Sequence, residues 1–277
     1  MTLVTTAQLV DAARRDGRGI AAFNVITLEH AEAIAAGAER AGAPAILQIS
    51  ENAVRYHRRL EPVAAAVIAV ATASSASLAV HLDHVEDEDL LRRAADSGIG
   101  SVMFDASKLD YRDNVAATRD AARWAHQRGM WLEAELGEVG GKDGAHAPGV
   151  RTDPDEAVRF VADTDVDALA VAVGSSHAMV DRTAALDIPL ITTLAEKLSV
   201  PLVLHGSSGV PDATLAAAVR AGMVKVNIGT ILNVAFTTAV RHALAGDEGM
   251  VDPRRYLAPA RDAVADEVTR LLAVLAT

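Results

Sequence analysis

Eight short segments rich in β-branched residues recur along the chain, and longer Ala-rich segments with apolar residues every three or four positions lie between them. The first pattern predicts buried strands and the second predicts amphipathic helices. The predicted strands cover residues 21–25, 43–50, 77–83, 101–106, 131–137, 168–174, 201–206 and 224–229. A doubly wound sheet is the alternative, but the first strand lacks the GxGxxG of a dinucleotide fold. We therefore predict an α/β fold, a (β/α)8 TIM barrel forming a single domain over residues 1–277.

Composition narrows the range of partners. The formal net charge of −11 repels phosphate backbones and anionic headgroups, so nucleic acid and membrane surfaces are not expected partners. The first 17 residues predict a polar amphipathic helix and lack the apolar core of a signal peptide. The most apolar stretch, 63–80, is interrupted by Thr and Ser and predicts a helix, a turn and a strand. We expect a cytoplasmic protein.

Three of the nine histidines lie at or just beyond the ends of predicted strands: His84, His177 and His205. In a barrel these ends surround one mouth. The chain has no cysteine, so a tightly bound metal must rest on His, Asp or Glu. Three imidazoles leave one position of a catalytic zinc open to a substrate oxygen. The trio predicts a zinc site, although each histidine alone could be structural.

Two carboxylate positions accompany the histidines. Asp83, immediately before His84, could accept a proton beside a metal, cap the following helix, or orient a histidine. Glu133 and Glu135 share one face of the fifth predicted strand by the period of two. Glu135 is a candidate alternative ligand or second metal position, whereas Glu133 is expected to form a buried ion pair with a lysine such as Lys225.

Further polar residues sit where a barrel enzyme binds substrate. Asn24 and Ser50 end the first two predicted strands and are candidate substrate-binding residues. The segments 206–209 (GSSG) and 227–230 (NIGT) follow the last two strands, where helix N-termini bind phosphate in such barrels, although ordinary turns also favour Gly and Ser. The Gly-rich segment 138–151 predicts a mobile loop.

The remaining histidines are interpreted as core or surface residues without a role in the site. His81 alternates with Asp83 and is expected to be a buried, hydrogen-bonded core residue. The other five lie in predicted helices or loops and are expected mostly at the surface. They are His30, His57, His126, His146 and His242.

The motifs HLDH, VGSSHAM, LVLHGSSG and KVNIGT, with SVMFDASKLDYRDNVAATRDAARWAHQRGMWLEAELGEVGG, resemble the class II fructose-bisphosphate aldolases, especially the branch with tagatose-bisphosphate aldolases. The resemblance runs from AAFNV to DPRRYLAPARDAV. It implies reversible cleavage of a ketose bisphosphate to dihydroxyacetone phosphate and an aldehyde, with glyceraldehyde 3-phosphate as the expected aldehyde. It also implies one catalytic Zn²⁺ per subunit on His84, His177 and His205, with Asp83 as acid/base.

The same resemblance assigns further roles. Asp143, where members carry Glu, is implied as the carboxylate that reprotonates the carbanion. Gly174 and Ala178 are implied to shape a phosphate and monovalent-cation site. Arg254 is implied to reach a neighbouring subunit's site in a homodimer or homotetramer. The implied phosphate contacts are Gly206, Ser207, Ser208, Asn227, Ile228, Gly229 and Thr230.

Several positions depart from the family pattern. Val85 and Ala178 stand where members usually have Gly, Val180 stands where a Tyr is common, and Gly229 replaces the Asp of fructose-specific members. These departures leave open a different phosphorylated ketose. The chain could also be a noncatalytic companion subunit of such an aldolase or a zinc hydrolase. The three histidines with Asp83 disfavour the companion subunit, and the two phosphate loops disfavour the hydrolase.

Overall fold

Eight parallel strands close one barrel in chain order in the computed structural model, which describes residues 3–136, 151–176, 179 and 181–277. The strands are β1 Ile20–Asn24, β2 Ala45–Ser50, β3 Leu78–Val85, β4 Ser101–Phe104, β5 Trp131–Leu136, β6 Ala168–Val171, β7 Leu202–Leu204 and β8 Met223–Ile228. All eight predicted strands are confirmed. The fold is the predicted single-domain (β/α)8 TIM barrel.

The helices of the described chain surround this sheet. They are α1 Thr6–Asp16, α2 Leu28–Ala41, α3 Glu51–His57, α4 Leu60–Ala73, α5 Glu88–Asp96, α6 Tyr111–His126, α7 Pro154–Thr164, α8 Ile188–Lys197, α9 Asp212–Arg220, α10 Thr230–Gly246 and α11 Pro253–Leu275. No helix among the described residues combines the length and the apolar character needed to cross a bilayer.

The N-terminal helix covers the end of the barrel that lies opposite the strand C-termini. Thr5 and Gln8 form a capping box that starts α1, because each side chain accepts a hydrogen bond from the other's backbone N–H. Leu9 and Val10 then pack in one buried cluster with barrel residues such as Ile46. This end of the interior is therefore apolar and closed.

The interior becomes polar toward the strand C-termini. On β3 the inward residues run from Ala79 through His81 to Asp83, all of them buried. The ring of His81 is fully buried, and its Nδ1 lies 2.9 Å from Ser101 Oγ, so the predicted core histidine is confirmed. Along β3 the inward face thus changes from apolar to polar toward the strand's C-terminal end.

The expected surface location is wrong for His30. This residue is only 3% exposed, stacks on Phe236 at a centroid distance of 4.8 Å, and places Nδ1 3.1 Å from Thr27 Oγ1. Packing of α10 against the start of α2 covers the ring, which local sequence does not indicate. His57, His126 and His242 are exposed, as expected, whereas His146 lies outside the described residues.

Candidate active site

A cleft of about 380 Å³ opens at the C-terminal end of the barrel. Ten of the residues singled out from sequence line it: Asn24, Ser50, Asp83, His84, Gly206, Ser207, Ser208, Asn227, Gly229 and Thr230. Parallel strands place these residues at one mouth because their C-terminal ends coincide.

Asp83 and His84 both face this mouth although they are adjacent on β3. Adjacent strand residues ordinarily point to opposite faces. His84 has a φ of +51°, and the pairing of β3 with β4 shifts register between Leu82 and Val85. The left-handed backbone turns His84 inward beside Asp83, a strained conformation of the kind that clusters at functional sites. Asp87 caps α5 by accepting from Asp89 N–H, so the helix-cap interpretation of Asp83 is wrong.

Two histidines and one carboxylate converge beneath the cleft. One ligand atom from each of Asp83, His84 and His205 lies within 4.8 Å of the others, and all three residues are buried. His84 Nδ1 lies 2.8 Å from Asp105 Oδ2, which leaves Nε2 as the nitrogen to offer a metal. His205 Nε2 lies 2.9 Å from Glu133 Oε1. Carboxylate-paired imidazoles of this kind are typical metal ligands, so these residues fit a divalent cation.

His205 is held between two carboxylates. Its Nδ1 lies 3.0 Å from Glu135 Oε2, opposite the Glu133 contact. Burial lowers the pKa of His205, but the hydrogen bonds to Glu133 and Glu135 and the charges of both carboxylates outweigh burial and raise it to about 10. A cation that binds His205 therefore has to compete with a proton on this ring.

Asp83 is ionised and oriented. Burial raises the pKa of its carboxyl, but the charges of His84, His205 and Lys225 outweigh burial and hold it below its usual range. Asn227 Nδ2 donates to Oδ1 at 3.2 Å and Gln48 Nε2 donates to Oδ2 at 3.4 Å. A fixed, charged carboxylate at the floor of a cleft can accept a proton from a bound hydroxyl.

The predicted ion pair between Glu133 and Lys225 is confirmed. Lys225 Nζ lies 2.7 Å from Glu133 Oε2, and both side chains are fully buried. The neighbouring charges of Lys225 and His205 and the His205 hydrogen bond outweigh the effect of burial, so the pKa of Glu133 lies well below its usual range. A charged pair therefore lies under the cleft.

The two predicted phosphate loops lie side by side. Ser208 Oγ accepts from Ile231 N–H at 3.2 Å, and Ser207 Oγ donates to Asn227 carbonyl oxygen at 2.5 Å. Gly206 has a φ of +66°, and a Cβ there would lie 2.6 Å from the carbonyl carbon of Ser176. Only Gly fits this close approach of the loop to the Ser176 backbone.

Other candidate residues have different placements. Asp143, His177, Ala178 and Val180 lie outside the described residues. Ser50 lines the cleft while its Oγ accepts from Ala53 N–H and caps α3. The remaining candidates do not line the cleft: Glu135, Gly174 and Ile228, together with Arg254, whose side chain is 89% exposed and bonded to Asp252.

Sequence analysis missed several cleft residues: Ile26, Gln48, Asn52, Ala53, Tyr56 and Asn233. Gln48 shares the inward face of β2 with Ser50, so alternation could have found it. Asn52 and Tyr56 belong to α3, a seven-residue helix without a strong apolar pattern. Asp105 lies in the fourth predicted strand, 101–106, but its bond to His84 depends on how β3 and β4 pair.

Comparisons with known proteins agree with this geometry. The family model described as fructose-bisphosphate aldolase class-II matches residues 4–277. A fructose-bisphosphate aldolase of Staphylococcus aureus is 35% identical over 272 residues, covering 97% of this chain and 95% of the relative. One from Geobacillus stearothermophilus is 37% identical over 268 residues, covering 95% and 93%.

A solved structure shows the same architecture. The YdjI aldolase from Escherichia coli K12 superposes with a TM-score of 0.84 at 28% identity, covering 99% of this chain and 97% of that one. The same family is indicated by these matches and by the cleft with its His and Asp cluster. The chain belongs to the class II fructose-bisphosphate aldolase family and is a metal-dependent aldolase, a carbon–carbon lyase.

Proposed function

We propose that this enzyme reversibly cleaves a ketose bisphosphate of the fructose- or tagatose-1,6-bisphosphate type to dihydroxyacetone phosphate and glyceraldehyde 3-phosphate, using zinc. The observation that carries the proposal is the cluster of an ionised Asp83 with His84 and His205 on the floor of the cleft. Such a cluster combines a proton acceptor with a cation site, the two functions that an aldol cleavage of this kind needs.

One Zn²⁺ per subunit would be held by His84, His205 and His177. The imidazole donors, each with a carboxylate partner in the described pair, and the absence of cysteine support zinc as the metal. When bound, zinc supplies Lewis acidity that polarises the substrate ketone. Glu135, whose Oε2 lies 3.0 Å from His205 Nδ1, is proposed as an alternative ligand or second metal position.

The protein's own residues would move the protons. Asp83 accepts the proton of the substrate C4 hydroxyl as the bond between C3 and C4 breaks. Asp143 then returns a proton to C3. Asn227 and Gln48 hold the two oxygens of Asp83, so the carboxylate is aimed before substrate arrives.

The two loops at 206–209 and 227–230 would bind the substrate phosphates. Backbone N–H groups at a helix N-terminus favour anions, and α10 begins at Thr230 beside the cleft. We assign the phosphate contacts to Gly206, Ser207, Ser208 and residues 227–230. Asn24, Ser50, Gly174 and Ala178 complete the substrate site, with a monovalent cation near the last two.

Gly229 supports a second candidate substrate. A Cβ at this position would lie 3.2 Å from Asn24 Cγ, so Asn24 occupies space that a larger side chain would need. Members specific for fructose carry Asp at this point of the pattern. A class II aldolase acting on another phosphorylated ketose is therefore the alternative, and it would yield a different aldehyde.

A homodimer or homotetramer is proposed as the active form. In α10 only Leu232 is buried, whereas Val234 and Leu244 are 41% and 39% exposed. Apolar faces of this kind are commonly covered by a second subunit. The exposed Arg254 guanidinium supports a role in the neighbouring site. Such an enzyme would act on carbohydrate phosphates of glycolysis and related pathways in the cytoplasm.

The shared site can be tested by subunit mixing. Asp83→Asn and Arg254→Ala should each be nearly inactive alone. Random exchange between them should restore about a quarter of wild-type activity, because half of the dimers are mixed and each has one intact site. No recovery after verified exchange would place the action of Arg254 elsewhere.

The reaction itself can be tested by metal reconstitution. Metal is removed with a chelator, zinc is restored, and condensation of dihydroxyacetone phosphate is followed with a panel of aldehydes that includes glyceraldehyde 3-phosphate. Zinc-dependent consumption is expected, fastest with glyceraldehyde 3-phosphate. Faster turnover of another aldehyde would favour the second candidate. Zinc-independent consumption, or none with any aldehyde, would contradict the proposed chemistry.

A further inference from the structure

Lys225 is a fully buried lysine at the centre of the barrel interior. Its Nζ donates to Glu133 Oε2 at 2.7 Å and to Asn227 Oδ1 at 2.8 Å. It does not line the cleft, so it is not placed to attack a substrate carbonyl. A buried ion pair is weak evidence for stability, because an apolar pair of similar volume is often as stable. The position of Lys225 therefore calls for an explanation other than stability.

One partner of Lys225 leads to the metal site. Glu133 accepts from Lys225 with Oε2 and contacts His205 Nε2 with Oε1 at 2.9 Å. A carboxylate fixed at one oxygen cannot rotate without losing the other contact. Lys225 thus fixes the plane of the Glu133 carboxylate and, through it, the ring of His205 with Nδ1 turned toward the cluster.

Asn227, the other partner of Lys225, contacts the proton acceptor Asp83. Asn227 Oδ1 accepts from Lys225, so its Nδ2 is the end that donates to Asp83 Oδ1 at 3.2 Å. A flipped amide would set its NH₂ against the ammonium and its oxygen against the carboxylate, and both contacts would be repulsive. The Lys225 ammonium therefore orients the Asn227 amide so that its NH₂ group faces Asp83.

We infer that Lys225 is a positioning residue that couples the metal ligand His205 to the proton-transferring carboxylate Asp83. The two hydrogen-bonded arms share a single ammonium group, so two of its N–H donors fix the distance and angle between the two groups that act on the substrate. The inference rests on the proposed function for the role of Asp83, and on geometry alone for the role of His205.

The test compares Lys225→Met with Lys197→Met. Lys197 is a matched control because its Nζ lies 2.6 Å from Asp155 Oδ1 at the surface of the barrel. Three quantities are measured: zinc affinity by chelator competition, the absorption spectrum of the cobalt-substituted protein, and kcat at saturating zinc. For Lys225→Met we expect zinc to bind about 10- to 100-fold more weakly, the cobalt bands to shift, and kcat to fall about 100-fold. Lys197→Met should match the wild type in all three.

A second variant guards against misfolding. Lys225→Met alone strands the Glu133 charge in the core, whereas the double variant Lys225→Met with Glu133→Gln removes both charges together. In the double variant the loss of kcat should persist, because Asn227 still lacks the donor that orients its amide. Its cobalt spectrum should also differ from that of the wild type.

Wild-type zinc affinity, cobalt spectrum and kcat in a folded Lys225 variant would overturn the inference. A change in only zinc affinity or only kcat would also overturn it, since the claim is that one residue serves both arms. If the wild type shows no zinc-dependent aldol reaction, the proposed function fails separately. The zinc affinity and the cobalt spectrum then still decide whether Lys225 positions His205.

Discussion

Replacing His81 with Leu should reduce the free energy of unfolding that the enzyme loses on acidification. His81 is fully buried, with Nδ1 2.9 Å from Ser101 Oγ and its ring edge-on to Trp131 at 6.0 Å. Burial, followed by the charge of Lys225, lowers the pKa of His81 to about 3. The folded protein therefore keeps this imidazole neutral throughout the physiological range.

The sign and size of the effect follow from linkage. In the unfolded chain a histidine titrates near pH 6.5, so on acidification the unfolded state takes up the proton first. The stability that this difference provides is complete above that pH and is lost progressively toward pH 3. Between pH 7 and pH 5 the protonated fraction of the unfolded imidazole rises from about one-quarter to nearly one, which costs the folded state about 2 kcal/mol. Both pH values lie well above the folded pKa, so this figure depends only on the unfolded chain.

The assay is urea unfolding of the metal-free protein at pH 7 and pH 5, with chelator present. His81→Leu removes no native charge and leaves Ser101 Oγ its contacts with Thr6 Oγ1 at 2.5 Å and Val80 carbonyl oxygen at 3.3 Å. The loss of unfolding free energy between the two pH values should be about 2 kcal/mol smaller in this variant than in the wild type. The exposed His242→Leu should match the wild type.

Equal losses of unfolding free energy between pH 7 and pH 5 in the wild type and in His81→Leu would refute the reasoning. Such a result would mean that the buried ring takes up a proton in the folded state as readily as in the unfolded chain.

Two further substitutions test the site's construction. Gly206→Ala should cost about 1 to 3 kcal/mol in urea unfolding and raise KM for phosphorylated substrates, because its φ is +66° and the new Cβ would meet the Ser176 backbone. Gly100→Ala, with no atom within 4 Å of its Cβ position, is the control, and equal costs would contradict the close-approach argument. Asp105→Asn should weaken zinc binding about 10- to 100-fold in chelator competition, because it removes the carboxylate that orients His84. Unchanged affinity would mean that the pair does not orient the ligand.

The barrel could be predicted from sequence because its strands are short, buried and rich in β-branched residues. The end of β6 could not. The apolar run was expected to stay in the strand to residue 174, but β6 ends at Val171. Gly174 adopts a φ of +113°, so the chain leaves the sheet while its residues remain apolar. Hydrophobicity marks burial and does not mark where ladder hydrogen bonds stop.

Parts of the site followed from strand periodicity, and parts required the folded chain. The pairing of Glu133 with Lys225 could be anticipated, since a carboxylate facing the interior needs a partner. The shared orientation of Asp83 and His84 could not, because it depends on a left-handed residue in a shifted strand pairing. The bond from Asp105 to His84 likewise depends on the register between β3 and β4.

The central claim is that Asp83 moves the proton while histidines hold the metal, and one measurement tests it directly. Zinc content and kcat are determined for the wild type, for Asp83→Asn and for Asp120→Asn, a control at an exposed carboxylate on α6. We expect Asp83→Asn to retain one zinc per subunit while kcat falls by about 10²- to 10⁴-fold, and Asp120→Asn to match the wild type. Near-normal turnover in Asp83→Asn would contradict the claim, and loss of zinc together with activity would make Asp83 a ligand instead.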